Sequence, residues 1–333
     1  MNDRILMGHG SGGKLMFELI TNTIGEILGS RSVQMDDSAI LVPGSEKIAF
    51  TTDTYTITPL FFPGGDIGTL AVNGTVNDLA VMGATPLYLS CGLILEEGLE
   101  MALLKKVLLS IKKASNAAGV RVVTGDTKVV EKGSVDKLFV NTSGIGILEH
   151  PVPRKKLEVG DQIIINGTIG DHGISVMAQR SGLSFTRGLS SDCAPLHRLI
   201  AEVMREFPGS VKFMRDATRG GVASVMNEII QKKPFGAVLY EERFPLKNEV
   251  KGVCEILGID PLYAANEGKV IMIVNKEAAA GILPLMKKNQ YGKKAAIIGE
   301  IIDQYRSMVF VETLVKGRRM LPLLIEDQLP RIC

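Results

Sequence analysis

A chain of 333 residues exceeds the size at which one hydrophobic core usually stops growing, so two domains are expected. Its 45% apolar and 22% charged residues exclude wholesale disorder. With 38 basic against 36 acidic side chains, a formal charge of +2, there is no electrostatic case for nucleic acid or an anionic membrane. Cys91, Cys193, Cys254 and Cys333 stand far apart with no Cys-x-x-Cys spacing, which argues against a zinc knuckle or a disulfide framework and fits a reducing cytoplasm. The opening MNDRILMGHGSGG lacks the basic and apolar regions of a signal peptide, and no apolar run reaches the roughly 18 residues of a membrane span, so neither export nor spanning is expected.

Gly8, Gly10 and Gly13 fit the dinucleotide G-x-G-x-x-G pattern, and Gly8 to Lys14 almost fits the phosphate-cradling G-x-x-x-x-G-K pattern. Both folds need a strand before the loop, which seven residues do not supply, and Leu15 stands where Ser or Thr should hold magnesium. A Gly-rich loop with Lys14 still favours anions, although a frayed terminus explains the same residues. Further along, KIAFTTDTYTIT reads as a strand, DIGTLAVNGTVNDLAVMGA as a helix and LYLSCGLIL as a strand; EMALLKKVLLSIKKASNAAG then reads as a helix and VRVVTGDTKVV as a strand. Two prolines and a basic cluster in GILEHPVPRKKLEVGD mark a boundary near residue 150. Beyond it DQIIINGTIG, VKFMRD, KVIMIV and KAAIIGEII read as strands. Helices are expected near HGISVMAQRSG, APLHRLIAEVMREF, RGGVASVMNEIIQ and KEAAAGILPLMKK, so both halves are α/β. The last segment, RRMLPLLIEDQLPRIC, carries Pro322 and Pro330 and should be an extended tail.

Carboxylates recur where strands or helices meet Gly-rich turns: Asp36, Asp37, Asp53, Asp78, Asp126, Asp171 and Asp216. Such oxygens suit a hard cation shared with substrate phosphates, and they equally suit helix capping and turns. Asn73 and Asn77 share one face of an apolar helix beside Asp78, as ligand contacts or as buried hydrogen bonders. Asp216, Thr218 and Arg219 precede a Gly-Gly helix start, a plausible anion seat. Lys128 and Glu267 each lie near a strand end in different halves, and serve proton transfer only if both face one cleft. His9, His150, His172 and His197 show no metal-ligand spacing and read as incidental. A thiol on Cys333 can travel, because ten or so extended residues at about 3.3 Å each reach roughly 30 Å.

Together GHGSGGK, DDSA, TTD, PLFFPGGDIGTLAVNGTVNDLAVMGATP, TGDTKVV, DHG, DATRGG, YAANEGK and the terminal PRIC resemble the hydrogenase maturation family HypE over essentially the whole chain. The resemblance implies the two-domain α/β fold of the aminoimidazole ribonucleotide synthetase, selenophosphate synthetase and thiamin-monophosphate kinase superfamily. Residues 1–150 would bind ATP and form a homodimer barrel, 151–318 a second α/β domain, and 319–333 a mobile tail. It implies further that a carbamoyl group from the carbamoyltransferase HypF is loaded on the terminal Cys and dehydrated with ATP to a thiocyanate. The cyano group then passes to iron on HypC and HypD, for the [NiFe]-hydrogenase centre. Carried onto this sequence, Cys333 would be the carrier and Lys128 and Glu267 the proton-handling pair. Gly12, Gly13, Lys14, Asp37, Asp53, Asn77, Asp78, Gly125, Asp126, Thr218 and Arg219 would surround ATP, and Asp37, Asp78, Asp126 and Asp216 would hold Mg²⁺. Two alternatives are a small-molecule kinase or synthetase of the same superfamily, against which PRIC argues, and a non-catalytic ATP-binding scaffold.

Overall fold

A computed structural model of the chain describes residues 14–24, 38–44, 46–152, 156–183, 188–324, 329 and 331–333. After a short helix, α1 (Lys14–Leu19), the first half builds a five-stranded sheet. Its strands are β1 (Ala39–Leu41), β2 (Ile48–Tyr55), β5 (Thr85–Glu96), β6 (Arg121–Val130) and β7 (Leu138–Ile147), in the order β1-β2-β7-β5-β6. Only β5 and β6 run parallel, and the crossover between them is helix α3 (Met101–Ala118). A two-stranded ribbon, β3 (Phe61–Phe62) with β4 (Gly65–Asp66), leads into helix α2 (Ile67–Val81). Asp66 caps α2 by accepting from the Gly68 and Thr69 amides at 2.8 and 3.1 Å.

Helix α2 reads as largely apolar, the pattern of a helix with no solvent face. All but Thr69 and Asp78 of its 15 residues are buried. Leu70, Ala71, Val72 and Val76 pack with β2, β5 and β7 of the first sheet, whereas Ala80 and Val81 join the core of the second half.

That half carries a seven-stranded sheet in the order β14-β13-β10-β12-β8-β11-β9. Its strands are β8 (Gln162–Ile165), β9 (Val211–Asp216), β10 (Gly236–Tyr240), β11 (Val270–Val274), β12 (Ala296–Ile302), β13 (Val309–Glu312) and β14 (Arg318–Met320). The central strands are near-continuous apolar runs because both faces are covered. Ile163, Ile165, Ile271 and Ile273 face helix α6 (Gly221–Ile230). Ile164, Val270, Met272 and Val274 face α5 (His197–Glu206), α8 (Lys276–Lys288) and the end of α2. Helices α4 (Asp171–Arg180) and α7 (Asn248–Leu257) instead join the core shared with α2 and α3. The expected strands and helices fall in these elements. α1, β1, β3, β4, β7, β10, β13, β14 and α7 are additions, and the segment expected as a tail begins inside β14. Among the described residues no helix is long and apolar enough to cross a membrane.

Candidate active site

The cleft between the halves is built from five segments. Strand β2 supplies Asp53, Thr54 and Tyr55; α2 supplies Gly74 and Asp78; the end of β9 and the turn after it supply Asp216, Thr218 and Arg219. Glu267 comes from the loop before β11 and Cys333 from the tail. Two close approaches explain glycines that the sequence holds there. A Cβ at Gly74 would lie 2.2 Å from the Tyr55 hydroxyl. Gly221 has φ +58°, and a Cβ on it would meet the Ala264 carbonyl oxygen at 2.5 Å, so the DATRGG turn packs against the YAANEGK loop only with glycine present.

Neighbouring side chains fix the Glu267 loop. Asn266 receives the Gly170 amide at 2.8 Å and donates to the carbonyls of Ala217 and Ala264 at 3.0 and 3.1 Å. Asp192 accepts from the Glu267 and Gly268 amides at 3.1 and 3.3 Å and from Lys269 Nζ at 2.7 Å. Burial would raise the Asp192 pKa, but Lys269 outweighs it and holds the carboxyl ionised below its ordinary range. Asn77 donates to the carbonyls of Ala194 and Glu267 at 3.0 and 3.4 Å and accepts from the Leu196 amide at 2.8 Å. Asn77 is thus a structural clamp across the halves rather than a lining residue.

Glu267 is 3% exposed, and its Oε1 has no hydrogen-bond partner. Burial first, then the charges of Asp216, Asp192 and Asp53, push its pKa well above the usual carboxylate range, while Arg219 pulls it down. Arg219 is held firmly protonated, chiefly by the negative charge at Cys333. Tyr55 donates to Asp53 Oδ2 at 3.1 Å, and burial followed by the charges of Asp53 and Asp78 keeps it a neutral phenol. Asp78 Oδ2 accepts from Thr51 at 2.8 Å.

The tail reaches this cleft and is seated by both its side chains and its backbone. Leu329 and Ile332 are 2% and 1% exposed, packed in the core shared by the halves. The Thr56 amide donates to the Cys333 carbonyl at 3.1 Å. Arg180 donates to the Arg331 carbonyl and, at 2.5 Å, to that of Thr58, while Arg331 pairs with Asp136 and donates to Thr56 O at 2.9 and 3.1 Å. His172 is fully buried and lies 2.9 Å from both the Ile332 carbonyl and Ser191 Oγ. A carbonyl only accepts, so Nε2 carries the proton and Nδ1 accepts from Ser191. Burial lowers the His172 pKa and keeps the ring neutral. Leu329 and Ile332, as buried apolar anchors, contribute about 1.5–3 kcal/mol each to the seat.

Of the residues singled out in the sequence, Asp53, Asp78, Asp216, Thr218, Arg219, Glu267 and Cys333 line one cavity. Gly12, Gly13, Asp36 and Asp37 lie outside the described residues. Lys14 lies in α1, ion-paired with Glu18 at 3.7 Å, away from the cavity. Gly125, Asp126 and Lys128 sit on edge strand β6. Lys128 and Asp126 pair with each other at 2.6 Å, both exposed, and the Lys128 hydrogen bond lowers the Asp126 pKa. Cross-strand partners share a face: Lys128 is opposite Ile94, which is 40% exposed, whereas Leu93 and Leu95 point toward α2. The pleat therefore turns Lys128 and Asp126 away from Glu267 within the chain, and Arg219 is the cation beside it. Asp171 is also remote from the cavity lining, bonded to Thr168 at 2.5 Å and paired with Lys247 at 3.0 Å. Tyr55, Arg180 and Ser191 carried no sequence signal, and His172 reads as incidental until its main-chain partner is known.

Two halves sharing one buried helix, with a site at their junction, define the class. Family models for the N-terminal and C-terminal domains of AIR synthase related protein match residues 35–148 and 158–312. The chain is 44% identical to the carbamoyl dehydratase HypE of Rhodobacter capsulatus, over 100% of this chain and 99% of the relative. It superposes on a crystal structure of a HypE–HypF complex with a TM-score of 0.85 at 45% identity, covering 94% of this chain and 100% of that one. A HypE crystal structure in complex with ATP gives 0.82 at 42% identity, covering 99% and 100%. The chain belongs to the HypE family of carbamoyl dehydratases.

Proposed function

We propose that Cys333 carries the carbamoyl group, that ATP activates it in this cleft, and that Glu267 takes a proton from nitrogen as thiocyanate forms. The observation that supports this reading best is the seating of Cys333 in a cavity of about 50 Å³ beside Glu267 and Arg219. At roughly 10–15 Å³ per water-sized position, that leaves room for the carbon, oxygen and nitrogen of a carbamoyl group on sulfur, in a pocket that is only partly enclosed. In the reaction the carbamoyl oxygen attacks the γ-phosphorus of ATP, ADP leaves, and nitrogen gives up one proton. The carbon–oxygen bond then breaks with its electron pair going to phosphate. Loss of the second nitrogen proton leaves a carbon–nitrogen triple bond on sulfur. Phosphorylation converts a poor leaving oxygen into a good one, and Arg219 is placed to offset the charge that develops. A base with a raised pKa suits removal of weakly acidic N–H protons.

The acidic lining suits a hard cation held mainly by phosphates. Asp53, Asp78 and Asp216 face the cavity with Arg219 as the cationic side chain in its described lining. Among the described residues no three His, Cys, Asp or Glu side chains are grouped as a metal cage. Asp78 and Asp216 offer oxygens that would hold Mg²⁺ jointly with phosphates, where it would supply neutralisation of phosphate charge.

The same reading makes HypF, seen in complex with a relative, the carbamoyl donor, and HypC with HypD the acceptor of cyanide. A reducing cytoplasm suits a carrier thiol, and the four cysteines are free. A homodimer is supported by β6, an edge strand on which Val122, Val123 and Val129 are 40%, 57% and 66% exposed. A second copy on that edge would give Gly125, Asp126 and Lys128 a place in the assembly that one chain does not. Sedimentation of the full chain at micromolar concentration should show a dimer and Val123→Asp a monomer; a monomeric parent would remove this part of the reading. The overall function is tested by intact mass. Incubation with HypF, its carbamoyl donor and ATP should add one carbamoyl group and then remove one water, and a chain never modified would favour the scaffold reading.

A further inference from the structure

We infer that His172 and Arg180 are positioning residues that set how much of the time the tail is seated, and so trade loading of Cys333 against dehydration. The inference rests on the carrier reading above. Ile332 is buried and Cys333, partly exposed, lines the cleft between the halves, so a transferase that must take the thiol into its own active site needs the tail to leave. Dehydration requires the tail to be in.

The contacts deciding between these states are directed at main chain. His172 Nε2 meets the Ile332 carbonyl at 2.9 Å, Arg180 the Arg331 carbonyl, and the Thr56 amide the Cys333 carbonyl at 3.1 Å. Those carbonyls are the same whether or not the sulfur carries a group, so these bonds hold empty and loaded tails alike. His172 is itself braced for the task, with its other nitrogen 2.9 Å from Ser191 Oγ, its ring edge-on to Phe62 at 5.2 Å, and Ser191 Oγ taking the Cys193 amide at 3.1 Å. Arg180 ties the same seat to β2's exit through the Thr58 carbonyl at 2.5 Å.

A ligand bond present in only one of two states shifts their populations by its own differential strength. Removing either donor therefore lowers the seated fraction. The two half-reactions should then move in opposite directions, an outcome that general damage to the fold does not produce.

The full-length chain carrying His172→Ala, His172→Gln or Arg180→Ala is treated with iodoacetamide, and alkylation of Cys333 is followed by peptide mass mapping. Alkylation should quicken by about tenfold in both alanine variants, the effect of one lost hydrogen bond to a buried carbonyl, and return toward the parent in His172→Gln, whose amide still donates. Loading by HypF should be faster, and single-turnover loss of water from the preloaded chain about tenfold slower. Unchanged alkylation in Arg180→Ala, whose side chain is only partly buried, overturns the inference even if His172→Ala fails to fold. Loading and dehydration falling together also overturns it. If no carbamoyl group is added to any chain, the carrier reading fails instead, while the alkylation rates still report whether these residues hold the tail.

Discussion

Cys333→Ala is expected to abolish acceptance of a carbamoyl group outright while leaving ATP affinity within about twofold of the parent, because removing one sulfur atom deletes the attachment point and little else. Leu329 and Ile332 stay in place to anchor the tail, and the Cys333 carbonyl that receives the Thr56 amide belongs to the main chain, so the seat survives the substitution. Intact-mass analysis after incubation with HypF and a labelled carbamoyl donor reads the first effect, and titration calorimetry with ATP the second. Label still attached to the variant would show that another group is the carrier. The thiols of Cys193 and Cys254 are poor substitutes: burial first, with neighbouring carboxylates, raises the Cys193 pKa well above normal, and burial brings Cys254 up to about 12.

Glu267→Gln should be loaded normally and then stall as the thiocarbamate, with loss of water slowed about 10²–10⁴-fold, the usual contribution of a positioned general base. The amide keeps the shape of the side chain and cannot take a proton. With Glu267 as the base, the carboxylate form is the active one, so single-turnover dehydration in the parent should rise with pH through the raised Glu267 pKa. The same shift has a consequence for stability of opposite sign. A carboxyl whose folded pKa lies above its unfolded value makes the folded state bind more protons. Its contribution is therefore complete below the ordinary glutamate pKa and is lost as pH rises toward the raised value. Glu267→Gln should consequently lose less melting temperature than the parent as pH is raised across that window. Normal water loss by the variant removes Glu267 from the base role, and parallel melting curves of the two chains across pH would show that its carboxyl is not perturbed.

Much of the fold was legible because pattern and environment agree. Helix α2 reads as largely apolar and is buried at all but Thr69 and Asp78, and the α/β alternation of both halves follows from period and turn signals. Strand β7, LFVNTSGIGI, was not assigned from the sequence, because its glycines and polar residues interrupt the apolar alternation. Its Gly144 is there because a Cβ would lie 2.7 Å from Thr75 of α2, a reason that exists only once the helix is packed on the strand. At the site, Asp53, Asp78, Asp216, Thr218, Arg219 and Glu267 were readable from their positions beside turns. Lys128 shows the limit of that reading: being next to a motif fixes its place along β6 but leaves its pairing with Glu267 to the sheet's pleat. His172 was passed over since its partner is a backbone atom 160 residues downstream, which no spacing rule encodes.

Helix α2 contributes side chains to both hydrophobic cores, and Asn77 on it ties the Ala194 and Glu267 carbonyls from the other half. A hinge through such a rod would tear apolar contacts on either side of the crevice, so wholesale opening and closing of the two lobes is a costly way to admit cargo. The packing of α2 favours a cleft that keeps its shape. On the carrier reading, the moving part would then be the C-terminal peptide and not the lobes, and turnover would depend on how often that peptide docks and lifts.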